Sequence, residues 1–141
     1  MREWYPHLDT CSADDHIPDI ERYIRMIKDR TRSTYQTLPF THIPKIMLTH
    51  LVMNVVFWLN SFPVQDGISS TQSPRFIMTG HELDYKKHAQ LLFGEYVQTH
   101  EEHDNSMHAR TIGAICLGPT GSQQAAHWFM SLRTGAKLAR T

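Results

Sequence analysis

Cysteine is scarce here: Cys11 and Cys116 are the only two in 141 residues. That is too few for a disulfide framework or a four-cysteine zinc site, and both read as thiols. An excess of charge of either sign is also missing. Lys plus Arg and Asp plus Glu stand at 14 each, with ten histidines counted as neutral, so any attraction to nucleic acid or a membrane has to be local. Positions 1–10 hold no apolar stretch of the secretory kind, which makes an intracellular protein the expectation. The membrane candidate, positions 46–63, carries no Asp, Glu, Lys or Arg but is broken by Thr49, His50, Asn54, Asn60 and Ser61. An enclosed helix suits it better than a membrane span. At 40% hydrophobic and 20% charged, the chain lies outside the disordered corner of composition and has the length of one ordinary domain or two very small ones.

Periodicity divides the chain near Gly80 into a helical first part and a strand-like second part. Pro18 at a first helical position, following His16 and the two capping candidates Asp14 and Asp15, predicts a helix that breaks at Leu38-Pro39-Phe40. Ile20, Ile24, Ile27 and Thr31 recur on one face of it. Between Glu21 and Arg32 the remaining positions carry five basic residues against two acidic ones, a local excess of three. A second helix is predicted from Pro44 to about Asn60, capped by Thr41 or His42. Leu48, Leu51, Val52, Val55, Val56, Trp58 and Leu59 leave it almost no polar face, so something sizeable must cover it. Ser73-Pro74 opens a short helix that ends at Gly80. Four short strands follow at 91–98, 111–117, 126–132 and 136–140, the first two interrupted by glycines at bulges or bends, with 133–135 as a hairpin loop. A small curled sheet or barrel results, and the fold class is α+β.

Glu21 is the carboxylate that stands out, in the first turn of the basic helix with Arg25 and Lys28 four and seven residues on. On spacing alone, an ordinary helix salt bridge accounts for it. The functional alternative makes Glu21 one ligand of a divalent-metal site, with Arg25, Lys28 and Arg32 holding phosphates.

The run from His16 to Arg30 (HIPDIERYIRMIKDR), then LPF at 38–40, VFWLNSFP at 56–63, SPR at 73–75 and TG at 79–80, resembles the end of the integrase core of Ty1/copia-type retrotransposon polyproteins. FGEYVQTHE at 93–101, DNSM at 104–107, RTIGA at 110–114, PTG at 119–121 and FMSLRTG at 129–135 resemble the small domain that follows it in copia-like elements of diatoms and related algae. The resemblance runs in unbroken order over about residues 16–141. It implies C-terminal helices of an RNase H-like core over 1–80 and a small SH3-like β domain over 81–141. It also implies DNA as partner and a nuclear working context.

Integrases of this type use an Asp, Asp, Glu set with Mg2+ or Mn2+, and Glu21 matches the Glu. The positions four and seven further on, which face the element's DNA end in related integrases, are Arg25 and Lys28. Arg32 and Arg22 complete the DNA-binding set. Strand transfer needs all three carboxylates, because two metal ions must bridge the attacking and leaving oxygens. The family's two aspartates lie on strands well upstream of its Glu, whereas Asp9, Asp14, Asp15 and Asp19 crowd one short segment with no strand pattern. The family's zinc-binding His/His/Cys/Cys region would lie further upstream still. The expectation is therefore a piece that binds DNA, is not catalytic alone, holds no metal by itself, and works with the missing integrase half or as a homo-oligomer. Near Gln124-Ala125-Ala126 the family tends to carry glycines, which puts that turn's geometry in question.

His100, His103 and His108 lie among Glu101, Glu102 and Asp104, but their spacing matches no closed zinc pattern, and a solvated loop is the simpler reading. Trp58, Trp128 and Phe129 read as core before they read as a base-stacking platform. Two other readings compete with the integrase one: a stand-alone protein-interaction module, and a non-functional transposon relic.

Overall fold

The computed structural model describes residues 17–102 and 104–141. Cys11, Asp9, the cap candidates Asp14 and Asp15, His16 and His103 lie outside them. Four helices and four strands follow in order: α1 Pro18–Thr37, α2 Lys45–Leu59, α3 Pro74–Thr79, α4 Tyr85–His88, β1 Tyr96–His100, β2 Thr111–Pro119, β3 His127–Ser131 and β4 Lys137–Arg140. The architecture is a small α+β one.

Pro18 begins α1 because its fixed φ suits the first turn and its missing N–H would have been unpaired there anyway. The cap residue is Ile17, with no side-chain cap bond. At α2 the predicted caps Thr41 and His42 are not used. Pro44 is extended (ψ 155°) and its carbonyl accepts from Leu48 N at 3.1 Å, so the helix proper starts one residue later, at Lys45. The two helices form an antiparallel hairpin. Tyr23 Oη donates to Asn60 Oδ1 (3.1 Å) at one end, and Tyr35 Oη donates to Thr41 O (3.1 Å) near the other.

The strands form an antiparallel meander in the order β1-β2-β3-β4. The sheet curls until Arg140 Nε at the end of β4 donates to His100 O at the end of β1, at 3.3 Å. Residues of β2 alternate between two apolar clusters, as strand geometry requires. Ile115 and Leu117 join Met130 and Met47 of α2 on one face, while Ala114 and Cys116 join Phe129 on the other. Leu38, Phe40, Ile43 and Phe93 pack around the first cluster, and Leu91, Val97 and Leu138 around the second. Burial on both faces makes Cys116 a packed core thiol and pushes it above its ordinary titration range.

Two strand expectations need correction. The segment 91–95 is a turn, because Gly94 takes φ 83° and Glu95 N bonds back to Leu92 O at 3.2 Å; β1 starts only at Tyr96 and runs on to His100. The irregularity in β2 falls between Cys116 and Gly118, not at Gly113, which pairs in register with Gln98. Gly118 has φ 98°, and a Cβ there would collide with the Asn54 side chain of α2. The glycine therefore lets the helix lie directly on the sheet. The one-turn helix α4 was not anticipated, although Asp84 before Tyr-Lys-Lys-His is a usable cap signal and its side chain accepts from Lys86 N at 3.1 Å.

Among the described non-glycine residues, Ala125 alone has positive φ, 57°. A left-handed alanine costs about 1 kcal/mol or more relative to glycine. Ala125→Gly is expected to stabilise the protein by about 1 kcal/mol, read as an upward shift of the urea midpoint with an unchanged slope. A lower midpoint would contradict this account of the turn.

Candidate nucleic-acid interface

On α1, Glu21, Arg25, Lys28 and Arg32 follow one another at four, three and four residues, which places them on one stripe of the helix. No residue of α1 is buried, and all four side chains are exposed. Glu21 sits in the first turn, where the helix dipole favours an acid. Among the described residues Arg25 and Lys28 take part in no ion pair, so the i, i+4 bridge from Glu21 to Arg25 does not form. Arg32 Nη1 reaches Asp29 Oδ1 at 3.3 Å, but both ends are largely exposed. Such a pair contributes at most about 1 kcal/mol and yields easily to a phosphate.

Arg22 is not part of this stripe. It turns about a quarter of the way round the helix and lines the groove between α1 and α2 with Tyr23, Arg30, Trp58 and Phe62. Four of the five residues singled out in the sequence thus share one stripe, and Arg22, also exposed, lies about a quarter-turn from it. A cleft of about 1310 Å³ lies between the α1–α2 connection and the sheet. Glu95 is its only charged lining residue, so it offers phosphates nothing.

The face of α2 toward the sheet and α1 is closed: Met47, His50, Leu51 and Val55 are buried. Its outer face is open, with Leu48, Val52 and Met53 exposed by 47%, 38% and 56%. The helix is therefore half covered by its own chain. Phe129 is core, and Trp128 is half-buried beside His50 and Lys137, with Lys137 Nζ 4.3 Å from its ring centre. Trp58 packs between Phe57 and Phe62.

No group of three His, Cys, Asp or Glu side chains able to hold a metal ion converges among the described residues. Glu21 has basic side chains as its stripe neighbours rather than further acids. Among the described residues, no acids gather with Glu21 into a group that fits a two-ion site. In the histidine loop, His100 closes β1, Glu101 Oε1 takes Arg133 Nη2 at 2.5 Å, and Asp104 Oδ1 accepts from Ser106 N at 3.0 Å. The Ser106 hydrogen bonds hold the Asp104 carboxyl below its ordinary value. No helix among the described residues is long and apolar enough to cross a membrane.

No family model, curated protein or solved structure matches this chain.

Burial of His50 under Trp128 pushes its ring below the ordinary histidine value, with Lys137 as a second cause. The unfolded chain takes up this proton first. The resulting stability is whole above about pH 6.5, the unfolded value, and is lost as the pH falls from there through the lower folded value. Urea midpoints are expected to drop on acidification through that window, and His50→Gln is expected to flatten that part of the profile. An unaltered profile in the variant would remove His50 as its source.

Proposed function

We propose that this chain is the C-terminal part of a Ty1/copia-type integrase and that it binds DNA through the α1 stripe without catalysing strand transfer alone. The observation that carries the binding role is the exposed row Arg25, Lys28 and Arg32 behind Glu21, the first two without ion-pair partners among the described residues. Cations spaced along one helix face suit a phosphate backbone, and such contacts position the protein without reading sequence. Supporting the integrase reading is the resemblance over residues 16–141, together with the turn at Gln124-Ala125-Ala126. The family favours glycine there, and Ala125 takes the positive φ that glycine adopts freely.

In this reading α1 and α2 belong to the end of an RNase H-like core, β1 to β4 form an SH3-like domain, and the working compartment is the nucleus. Glu21 would supply one of three carboxylates, with two aspartates coming from the remainder of a complete integrase and Mg2+ or Mn2+ as the ions. The test is binding of a short duplex at low salt by the wild-type chain, with strand transfer assayed in parallel. Salt-sensitive binding without transfer is the expected result; absence of binding at low salt would reject the proposal.

One observation favours a second reading, a partner-binding module. The outer row Leu48, Val52 and Met53 on α2 is apolar and open, and a protein partner could cover it. That reading requires no DNA affinity.

A further inference from the structure

The sheet ends in two edge strands, β1 and β4, and the two edges differ in what they offer. Just beyond the ends of β1, Glu101 N donates to Arg110 O at 3.0 Å and Cys116 N donates to Glu95 O at 2.8 Å. Bonded positions alternate along an antiparallel pair, so the odd-numbered residues between these two bonds face β2. The backbone N–H and C=O of Tyr96 and Gln98 point the other way, and among the described residues nothing bonds them. Both residues are exposed.

Such an edge is a template for a further strand unless something blocks it. β4 is blocked by charge, with Lys137 and Arg140 among its four residues. Residues 96–100 of β1 include no Asp, Glu, Lys, Arg, Pro or Gly. The far end of this edge is taken, where Arg140 Nε donates to His100 O at 3.3 Å. Tyr96 and Gln98 stay open.

An apolar recess adjoins this open stretch. Tyr96 pairs with Ile115 and Ile115 with Met130, so the three side chains share the sheet face that lines the cleft under the α1–α2 connection. Leu92 and Leu132 line the same cleft, and Leu92, Tyr96 and Leu132 are exposed by 75%, 58% and 55%. A strand added to β1 would send alternate side chains to this face. Glu95, exposed beside Tyr96, is the one Asp, Glu, Lys or Arg of the lining.

We propose that the open edge of β1 at Tyr96 and Gln98 takes up an extended peptide segment of a partner protein, apolar at alternate positions and flanked by a basic residue, as a fifth strand of the sheet. Main-chain bonds to Tyr96 and Gln98 supply affinity, and the cleft selects the alternate side chains. The basic residue answers the charge of Glu95. A second copy of this chain suits the recess less well. Paired edge to edge, its β1 would bring Gln98 and His100 to that face along with Tyr96, two polar residues for an apolar surface. The peptide site is separate from the α1 stripe and from the open row of α2, and it does not depend on DNA binding.

The experiment selects short linear peptides of random sequence, displayed on phage, against the full chain, and then follows one enriched peptide as a synthetic product. Enriched sequences are expected to alternate apolar and polar residues beside a Lys or Arg. In the free protein the Tyr96 and Gln98 amides are expected to exchange quickly with solvent, while those of Val97 and Thr99 exchange slowly. Bound peptide is expected to slow Tyr96 and Gln98 as well. Gln98→Pro deletes one outward N–H without touching a bond to β2, and is expected to weaken the peptide about tenfold. Leu132→Lys, which puts a charge at the recess, is expected to weaken it too, whereas Arg25→Ala is expected to bind it as wild type does. Should Gln98→Pro fail to fold, the exchange measurement on the wild-type protein decides. A library that enriches nothing, or a bound peptide that leaves the Tyr96 and Gln98 amides in fast exchange, would overturn the proposal. So would slowing of those amides by raised protein concentration alone, which would make a second copy the occupant.

Discussion

Arg25→Ala and Lys28→Ala are each expected to weaken binding of a short DNA duplex at low salt, by a similar factor for unrelated sequences. Each cation that neutralises a phosphate releases condensed counterions, so the logarithm of affinity falls with the logarithm of salt at about 0.9 per contact. A stripe of three contacts, Arg25, Lys28 and Arg32, therefore gives a slope of about −3, and removing one flattens it to about −2. The double variant is expected near −1. Arg32→Ala should cost least, because its guanidinium is already shared with Asp29 at 3.3 Å. Arg22→Ala is the internal control, since that side chain lines the α1–α2 groove rather than the stripe. Slopes measured by fluorescence anisotropy over a range of salt separate these cases. An unchanged slope in both Arg25→Ala and Lys28→Ala would sink the DNA interface and leave the partner-binding reading.

Met47→Ala is expected to cost about 2–5 kcal/mol, the range for truncating a buried methionine. Met47 is 2% exposed and reaches from α2 into the cluster of Ile115, Leu117 and Met130. It joins the helical layer to the sheet, so the loss should not stay local. At roughly 4 °C per kcal/mol for a chain of this size, the melting temperature falls by on the order of 10 °C. Helix signal in the far ultraviolet and, in a Trp4→Phe, Trp58→Phe background that leaves Trp128 as the reporter on the sheet, fluorescence should fall at the same temperature with and without Met47→Ala. Separate transitions would show that the helices and sheet are stabilised independently. A broad wild-type melt without cooperativity would favour the relic reading.

Much of the secondary structure was legible because it rests on local chemistry. The proline at position 18 and the Leu38-Pro39 break delimit α1 within a residue, since proline acts through its own φ and the conformation of the residue before it. The alternation of Ala114, Ile115, Cys116 and Leu117 marks β2 in the same way, because a strand sends successive side chains to opposite faces. The basic stripe was equally plain, as it needs only helical spacing.

What sequence reading missed depended on distant contacts. A strand was expected at 91–98, but Gly94 turns the chain where a Cβ would come within 2.5 Å of Leu38, 56 positions earlier in sequence. The bulge in β2 moved to Gly118 because Asn54 of α2 occupies the space above it. Nor does spacing show that the buried His88 ring meets Ser122 O at 2.9 Å, 34 positions away.

By itself, then, the sequence determined the order of α1, α2, α3 and the four strands, the neutral overall charge with its one basic helix face, and the candidate row Glu21, Arg25, Lys28 and Arg32, because these follow from backbone geometry and spacing along one element. Helical spacing already sets Arg22 a quarter-turn from that row; tertiary structure alone decided that α2 makes a groove beside it, that α2 is covered on one side and open along Leu48, Val52 and Met53, and that the carbonyls of Asp84 and Ser122 meet the one buried imidazole of His88. Those outcomes depend on which elements pack together, and packing is settled by side chains far apart in the chain.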